Sequence, residues 1–306
     1  MVEIIHFVKT WEDGGVESFL KIMSEKFGDK IFVKKDHHKV NYKNFKDKVI
    51  IFHTPAYFIK LLFFIINRNK IKIIFHNDLD KHYSIFKKLI IYPWLLLLRI
   101  LNVKFISFIS QGNILNHVCG KNLLISKYFY KNNLNISDIQ ILEGQKNIIF
   151  VGRYDERQKN FSFAVPLLKY AARKGINVKI YGNYPNYLKD EYSYHGFSFE
   201  GFKNQLSDIY KKNSILLVTS RYESGPLVVL EALSYGLPII STPVGLLKKI
   251  KKRKGFHALN LFETLEEGKM IINRFAEQKN FKTNENVSFL NKNTAGPEQL
   301  RELFNI

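Results

Sequence analysis

The chain has 306 residues, enough to bury two hydrophobic cores of ordinary domain size. Its 46% hydrophobic and 24% charged residues exclude a wholly disordered protein, and its single cysteine excludes an internal disulfide and fits a reducing compartment. The formal net charge of +20 suits an anionic partner such as nucleic acid, anionic lipid or a phosphorylated substrate. An AT-rich genome would also explain the many Lys, Ile, Asn and Phe residues, and both explanations stay open.

The amino terminus predicts a strand rather than a targeting segment. Residues 2–8 form an apolar run with no basic region ahead of it, so we expect no signal peptide and a cytoplasmic protein. Two apolar segments, 56–66 and 89–98, are too short to span a bilayer. Each fits either a buried core helix or an amphipathic face that lies peripherally on an anionic membrane surface.

The first half of the chain alternates between strand and helix patterns. This alternation is typical of a parallel sheet with helices on both faces. The predicted helices begin near Val16, Pro55, Tyr83 and Asn113. The predicted strands cover residues 2–8, 31–33, 49–52, 71–75 and 103–108.

A polar stretch over 131–146 predicts a linker, after which the same alternation starts again. The predicted domains are therefore 1–140 and 141–285, followed by a C-terminal tail over 286–306. The fold class we expect is α/β, with two Rossmann-like doubly wound domains facing a cleft. Strands are predicted at 147–151, 178–181, 197–201, 214–219 and 238–241, and helices at 160–173, 205–211, 226–235, 262–276 and 297–304.

The segment from Ser220 to Pro238 predicts a turn that opens directly into a helix. Pro226 suits the first helical position, and Gly236 suits the helix end. The unpaired amides and the dipole at the start of such a helix favour an anion. Glu223 and Glu231, separated by seven residues, would lie near that anion. Because carboxylates accept hydrogen bonds from hydroxyl groups, a sugar or ribose is their expected partner.

These residues carry a resemblance to a known family. Glu223 and Glu231, followed by Ala232-Leu233 and then Gly236 and Pro238, resemble the signature of family 4 retaining glycosyltransferases of GT-B fold. The run 148–153 followed by Lys159-Asn160 resembles that family's donor-phosphate motif, and residues 14–17 resemble its N-terminal glycine loop. The chain departs from the pattern at 244–249, where the family's Gly-Gly and acidic residue are replaced.

The resemblance implies that the tail 286–306 packs toward the first domain, and it also implies roles for individual residues. Arg153 and Lys159 would hold the leaving diphosphate, Glu231 the ribose, and Glu223 and His76 the hydroxyls of the donor sugar. These four, Arg153, Lys159, Glu223 and His76, are the candidate catalytic residues, and His53 is a further candidate for the acceptor side. The donor-binding candidates are Gly15, Phe202, Gly225, Pro226, Leu227, Val228 and Glu231.

The implied activity is metal-independent, retaining transfer of a sugar from a nucleoside-diphosphate sugar, which we expect to be UDP-linked. The expected acceptor is a glycan or a lipid-linked glycan in cell-surface polysaccharide or lipopolysaccharide assembly. We expect no cofactor, no metal and no nucleic-acid partner. The triplet Asp78-Leu79-Asp80 fits a helix cap better than a metal motif. The alternatives are a non-catalytic basic protein that binds nucleic acid and a degenerate GT-B subunit that binds a partner transferase.

Overall fold

The chain forms two compact units, the first from Met1–Asn132 with Thr294–Ile306 and the second from Asn133–Asn293. The structure is a computed structural model. It describes residues 4–8, 15–33, 45, 48–54, 64–65, 70–76, 79, 83–107, 113–125, 129–130, 146–203, 206–210, 214–223, 227–245, 247, 258–277, 294–295 and 301–302.

The first unit is built on a six-stranded parallel sheet in the order β2-β1-β3-β4-β5-β6. β3, in the middle of this sheet, is a continuous apolar run, as expected where helices cover both faces. The predicted strands are confirmed, and β6 was not predicted. The strand bounds are β1 Ile4–Val8, β2 Lys30–Val33, β3 Val49–Phe52, β4 Lys70–Phe75, β5 Lys104–Ser107 and β6 Leu123–Ile125.

Three helices of this unit are described: α1 Gly15–Phe27, α2 Ile85–Ile100 and α3 Asn113–Cys119, which continues into a 3-10 turn at Gly120–Asn122. Gly28 ends α1 with a φ of 68°, a conformation that glycine adopts without strain. The helix predicted from Pro55 lies almost wholly outside the described residues. A short strand, β7 Phe129–Tyr130, pairs in parallel with β14 Thr294–Ala295 and so ties the end of the chain to this unit.

Helix α2 is apolar on two sides. One side packs on the sheet through Ile91, Trp94, Leu95 and Leu98. The other side is exposed, with Phe86 77% and Leu89 67% accessible. The segment 89–98 therefore contributes to the core, as one of the two interpretations predicts, and it also presents an apolar surface. None of the helices that the structure describes is long and apolar enough to cross a bilayer.

The second unit repeats the architecture with the strand order β10-β9-β8-β11-β12-β13, again with every pair parallel. Its strands are β8 Asn147–Val151, β9 Asn177–Tyr181, β10 Phe197–Gly201, β11 Ser214–Val218, β12 Ile239–Ser241 and β13 Leu259–Leu261. Its helices are α4 Phe161–Arg173, α5 Asn186–Ser193, α6 Ser207–Tyr210, α7 Leu227–Ser234 and α8 Leu265–Glu277.

Most of the predicted elements of this unit are confirmed, and the differences have local causes. Helix α5 was missed; Leu188 is its one buried residue, and Tyr192, four positions later, packs against the same core. Helix α8 begins at Leu265 rather than 262 because β13 precedes it. Pro166 lies inside α4 without interrupting it. Of the predicted terminal helix, only residues 301–302 are described, and they are helical.

Cys119 ends α3 and is completely buried. Burial raises the pKa of its thiol to about 12. It is therefore a small core residue.

Candidate functional site

The second unit has a topological switch point between β8 and β11. The chain runs from β8 outward to β9 and β10, then crosses back to β11 on the other side of β8. Ligands of open α/β sheets bind at such a point, outside the carboxyl ends of the strands. Arg153 and Lys159 follow β8 at this edge, and Glu223 follows β11.

Lys159 and Glu223 form an ion pair that joins the two loops. The Lys159 Nζ lies 2.7 Å from Oε1 of Glu223, and their side chains are 19% and 9% exposed. The Ser220 hydroxyl donates to the same oxygen at 3.0 Å. Sequence reasoning had assigned both charged residues to the site without pairing them, and it had not included Ser220.

The path of the Lys159 side chain explains the glycine at 152. A Cβ added there would lie 3.2 Å from Cε of Lys159, so the lysine passes closely against the Gly152 backbone. Gly152 itself has a φ of 149°, which glycine tolerates far better than other residues. Its carbonyl oxygen in turn lies only 2.1 Å from where a Cβ of Gly182 would stand. Two glycines therefore allow the close packing that positions Arg153 and Lys159.

A hydrogen-bond network locks the loop after β8 to the loop after β11. The Thr219 hydroxyl donates to the carbonyls of Lys159 and Asn160 at 2.9 and 3.1 Å. The Arg221 guanidinium donates to Oδ1 of Asn160 at 2.7 Å, and its amide donates to the Gln158 carbonyl at 2.8 Å. Asn160 is left-handed, with a φ of 56°, a conformation that Asn adopts more readily than most residues. Sequence reasoning missed Thr219 and Arg221 as parts of this frame.

Arg153 extends from the same loop toward solvent. Its side chain is 59% exposed and its guanidinium lies 3.8 Å from Oδ2 of Asp155. The loop after β8 therefore carries one largely exposed cation, Arg153, and one largely buried cation, Lys159. Both residues belong to the loop that follows β8, at the same edge of the sheet where helix α7 begins.

Helix α7 starts at Leu227, directly after the turn predicted to bind an anion. The amides of Leu227 and Val228 belong to its first turn, where backbone donors lack partners within the helix. Glu231 follows one turn later, and the buried Tyr210 hydroxyl donates to its Oε2 at 3.4 Å. Burial, then the Glu231 charge, raises the pKa of Tyr210 well above its ordinary value, so this hydroxyl is a donor. The candidates Gly225 and Pro226 lie outside the described residues.

Two further donor-binding candidates belong to other elements of the fold. Phe202 follows β10 at the margin of the sheet and is 45% exposed. Gly15 is the first residue of α1 and belongs to the first unit. Among the described residues, no group of three His, Cys, Asp or Glu side chains is arranged to hold a metal ion, and Asp78 and Asp80 are outside them.

The first unit also has a switch point, between β1 and β3, and three histidines lie beside it. His76 follows β4, His53 follows β3, and His6 lies within β1. The rings are in hydrogen-bond contact, with His53 Nδ1 2.7 Å from His76 Nε2 and His6 Nδ1 2.9 Å from His53 Nε2. Burial, then the His6 charge, lowers the pKa of His76 to about 4, and burial also lowers the pKa values of His53 and His6. Sequence reasoning found His76 and His53 and missed His6.

The second unit is similar in sequence to known proteins. Residues 145–265 match the family model described as Glycosyl transferases group 1. A segment of 123 residues is 29% identical to the amylovoran biosynthesis glycosyltransferase AmsD of Erwinia amylovora. This alignment covers 38% of the chain and 35% of AmsD, so the match spans about a third of that relative. The family match confirms the resemblance carried by the motifs around Arg153, Lys159, Glu223 and Glu231.

Solved structures establish the fold. The HepE protein of Anabaena, determined with UDP and glucose, matches 91% of the chain and 90% of its own length with a TM-score of 0.65 at 14% identity. WaaG, a glycosyltransferase involved in lipopolysaccharide biosynthesis, matches 90% of each chain with a TM-score of 0.67 at 12% identity. The chain therefore has the GT-B fold, as the resemblance implies.

Proposed function

We propose that this chain, in which residues 145–265 match the group 1 glycosyltransferase family model, transfers a sugar from a nucleoside-diphosphate sugar with retention and without a metal. The observation that carries the proposal is the Lys159–Glu223 pair at the switch point of the second sheet. A cation for phosphate and a carboxylate for hydroxyls stand there side by side, as a glycosyl diphosphate requires.

The leaving diphosphate is the group that most needs stabilisation. As the bond from the anomeric carbon breaks, negative charge accumulates on the phosphate oxygens, and fixed cations and dipoles lower the barrier. Lys159 supplies a positive charge that its ion pair with Glu223 holds in place. The exposed guanidinium of Arg153 can contact the diphosphate through two N–H groups. The first amides of α7, at Leu227 and Val228, face the same edge.

The two carboxylates orient the donor through its hydroxyl groups. Both of the contacts of Glu223 described above engage Oε1, so we assign Oε2 to the hydroxyl of the transferred sugar. Glu231, oriented by Tyr210, is assigned to the ribose. His76, Gly15 and Phe202 are assigned to the donor as well, on the family resemblance.

No side chain is assigned as a nucleophile. The leaving phosphate takes the proton of the acceptor hydroxyl while the acceptor attacks on the face that the diphosphate leaves. Retention follows from that geometry. The cations Arg153 and Lys159 take the part that a divalent ion plays in metal-dependent transferases.

The nature of the relatives supports a UDP-sugar and a surface polysaccharide. HepE was solved with UDP and glucose, and AmsD is named for amylovoran biosynthesis. We place the reaction in the assembly of cell-surface polysaccharide or lipopolysaccharide, with a glycan or a lipid-linked glycan as acceptor.

Helix α2 supports an acceptor held at a membrane. Its exposed apolar side includes Phe86 and Leu89, and Lys87 and Lys88 stand between these two residues in the sequence. Apolar side chains can enter the headgroup region while lysines contact anionic lipid. The net charge of +20 acts in the same direction, and we propose peripheral binding at the cytoplasmic face of the membrane.

A nucleotide-sugar panel tests the proposal. A donor at a hundredfold excess over its Kd should stabilise the protein by about 2.7 kcal/mol, and a UDP-sugar should raise the melting temperature most. Arg153→Ala should abolish most of that shift, whereas Arg173→Ala, an exposed arginine at the end of α4, should not. Chelation with EDTA should leave the transfer rate unchanged. If no nucleotide-sugar shifts the melting temperature or is transferred or hydrolysed, the proposal is wrong.

A further inference from the structure

Five side chains of the first unit form one continuous chain of contacts; His6, Asp29 and Arg301 are buried, and His53 and His76 are half-buried. His53 lies at its centre, 2.7 Å from His76 on one side and 2.9 Å from His6 on the other. The neighbouring positions of β1, β3 and β4 in the sheet bring these three rings together. A contact of 3.2 Å from His6 Nε2 to Oδ2 of Asp29 extends the chain away from His76.

Asp29 is held from its other side by the end of the chain. Arg301 donates from Nη2 to Oδ1 of Asp29, and both residues are buried. The Arg301 guanidinium also lies 4.0 Å from the centre of the Phe27 ring. The orientation of the Asp29 carboxyl is therefore fixed, with one oxygen toward Arg301 and the other toward His6.

The contacts determine which nitrogen of each ring carries its proton. A carboxylate only accepts hydrogen bonds, so Nε2 of His6 carries the hydrogen. The three imidazoles are neutral, as their lowered pKa values indicate, so each has one N–H. Nδ1 of His6 must then accept from Nε2 of His53. By the same logic, Nδ1 of His53 accepts from Nε2 of His76.

We propose that Asp29, acting through His6 and His53, fixes the tautomer of His76 so that its Nδ1 accepts a hydrogen bond from a substrate hydroxyl. The part concerning substrate rests on the proposed function, in which His76 contacts the donor sugar. Asp29, His6 and His53 are positioning residues. Their effect is to present a lone pair rather than an N–H at the Nδ1 position of His76.

A metal site is the competing interpretation of three adjacent histidines. Two nitrogens bound to one tetrahedral zinc at ~2.0–2.1 Å would lie about 3.4 Å apart. The observed separations of 2.9 and 2.7 Å are those of direct hydrogen bonds. The contacts also run in sequence from ring to ring instead of converging on one point.

The first test is the tautomer state of the wild-type protein. Long-range ¹⁵N–¹H NMR of imidazole-labelled protein at pH 7 should show His6, His53 and His76 neutral with the proton on Nε2. Comparison with His76→Phe assigns the signals of that ring. A His76 protonated on Nδ1, or a charged ring within the chain, would overturn the proposal whether or not the protein has transferase activity.

Asp29→Asn should reverse the whole chain. Because Arg301 requires an acceptor, the amide oxygen should face Arg301 and the amide NH₂ should face His6. His6 would then accept at Nε2 and donate from Nδ1, and the same change would pass through His53 to His76. All three rings should shift to the Nδ1–H tautomer, which turns His76 from acceptor to donor toward substrate.

The activity readout separates this inference from the proposed function. With reversed tautomers, kcat/KM should fall about tenfold to a hundredfold, since one substrate hydrogen bond is mismatched. Asp190→Asn, an exposed carboxylate of the second unit, should change neither tautomers nor rate. Reversed tautomers with an unchanged rate would overturn the proposal while leaving the transferase activity in place. If Asp29→Asn does not fold, the tautomer states in the wild-type spectrum still test the proposal.

Discussion

The Lys159 Nζ lies 2.7 Å from Oε1 of Glu223, although the two residues are 64 positions apart in the chain. Each belongs to a different loop at the carboxyl edge of the second sheet, and the pair joins them. Its Coulomb energy is moderated by partial exposure, so its main effect is to hold the lysine in place. A cation held in this way needs little rearrangement as charge develops on a leaving phosphate.

Replacement of Lys159 should separate its two effects. Lys159→Met removes a cation from the proposed diphosphate site, so we expect kcat to fall by about 10²–10³-fold. It also leaves the Glu223 carboxylate without its counterion, which should reduce stability by about 1–2 kcal/mol. The double variant Lys159→Met, Glu223→Gln should regain stability without regaining activity. Steady-state kinetics measures the activity and thermal melting the stability, with the substitution of the exposed Lys174 by Met as the control. A Lys159→Met enzyme with wild-type activity would contradict the proposed role of Lys159 at the diphosphate.

The packing of Gly182 against Gly152 predicts a strong effect of one methyl group. In Gly182→Ala, the new Cβ would overlap the Gly152 carbonyl oxygen, 2.1 Å away, and would displace the loop that carries Arg153. We expect a loss of roughly 2–4 kcal/mol in the free energy of unfolding and a loss of donor binding. Gly175→Ala is the matched control, because that glycine has a φ of 74° but open space around its Cβ position. Equal effects of the two substitutions, measured by chemical denaturation, would show that crowding is unimportant.

Tyr210 should affect donor binding through Glu231. Tyr210→Phe removes the hydroxyl that donates to Oε2 of Glu231 and keeps the buried ring. We expect KM for the donor to rise about three- to tenfold, since one hydrogen bond that orients the carboxylate is lost, and kcat to change little. Steady-state kinetics with varied donor concentration measures this. A change confined to kcat would argue against a ribose-binding role for Glu231.

Acidification should destabilise the first unit through His76. Its pKa is lowered from 6.5 to about 4 in the folded protein, so between these values the unfolded chain holds a proton that the native state lacks. The free energy of unfolding should therefore fall as pH decreases, by about 1.4 kcal/mol per pH unit and roughly 3 kcal/mol over the window. Denaturant titrations of the wild type and His76→Gln, compared from pH 7 to 4, isolate this contribution. A constant difference between the two proteins would show that His76 does not titrate as expected.

The exposed side of α2 should bind anionic vesicles. Phe86→Glu with Leu89→Glu introduces charge where apolar contact is proposed, and co-sedimentation with phosphatidylglycerol vesicles should fall at least tenfold. Tyr187→Glu with Tyr194→Glu is the control, because it makes the same change of charge at two residues of the second unit that are 60% and 91% exposed. Vesicle binding that both proteins share would assign it to the general positive charge instead.

The strands and the donor-side loops could be predicted because their signals are local. The apolar run of β11, the turn after it and Gly236 lie within one segment, and so do β8, Gly152 and Lys159. What could not be predicted is the contact between these segments. Nothing in the sequence near Glu223 indicates that Lys159 is its partner, because only the adjacency of β8 and β11 brings them together.

The contacts among the three histidines could not be predicted from the sequence for the same reason. His6 lies within an apolar strand, and its neighbours in sequence reveal neither His53 nor Asp29. One signal was available: three histidines occur in or just after strands that a doubly wound sheet can place side by side. Arg301 could not have been anticipated, since its partner Asp29 is 272 positions away.

Cys119 is inaccessible to thiol reagents in the folded protein because it is buried and its thiolate is disfavoured. The natural cysteine would therefore not react with a thiol label attached elsewhere on the folded protein. Paired cysteines introduced on α2 and on α5 would accept fluorophores without removal of the natural one. Energy transfer between them would then report whether the two units approach each other when a donor binds.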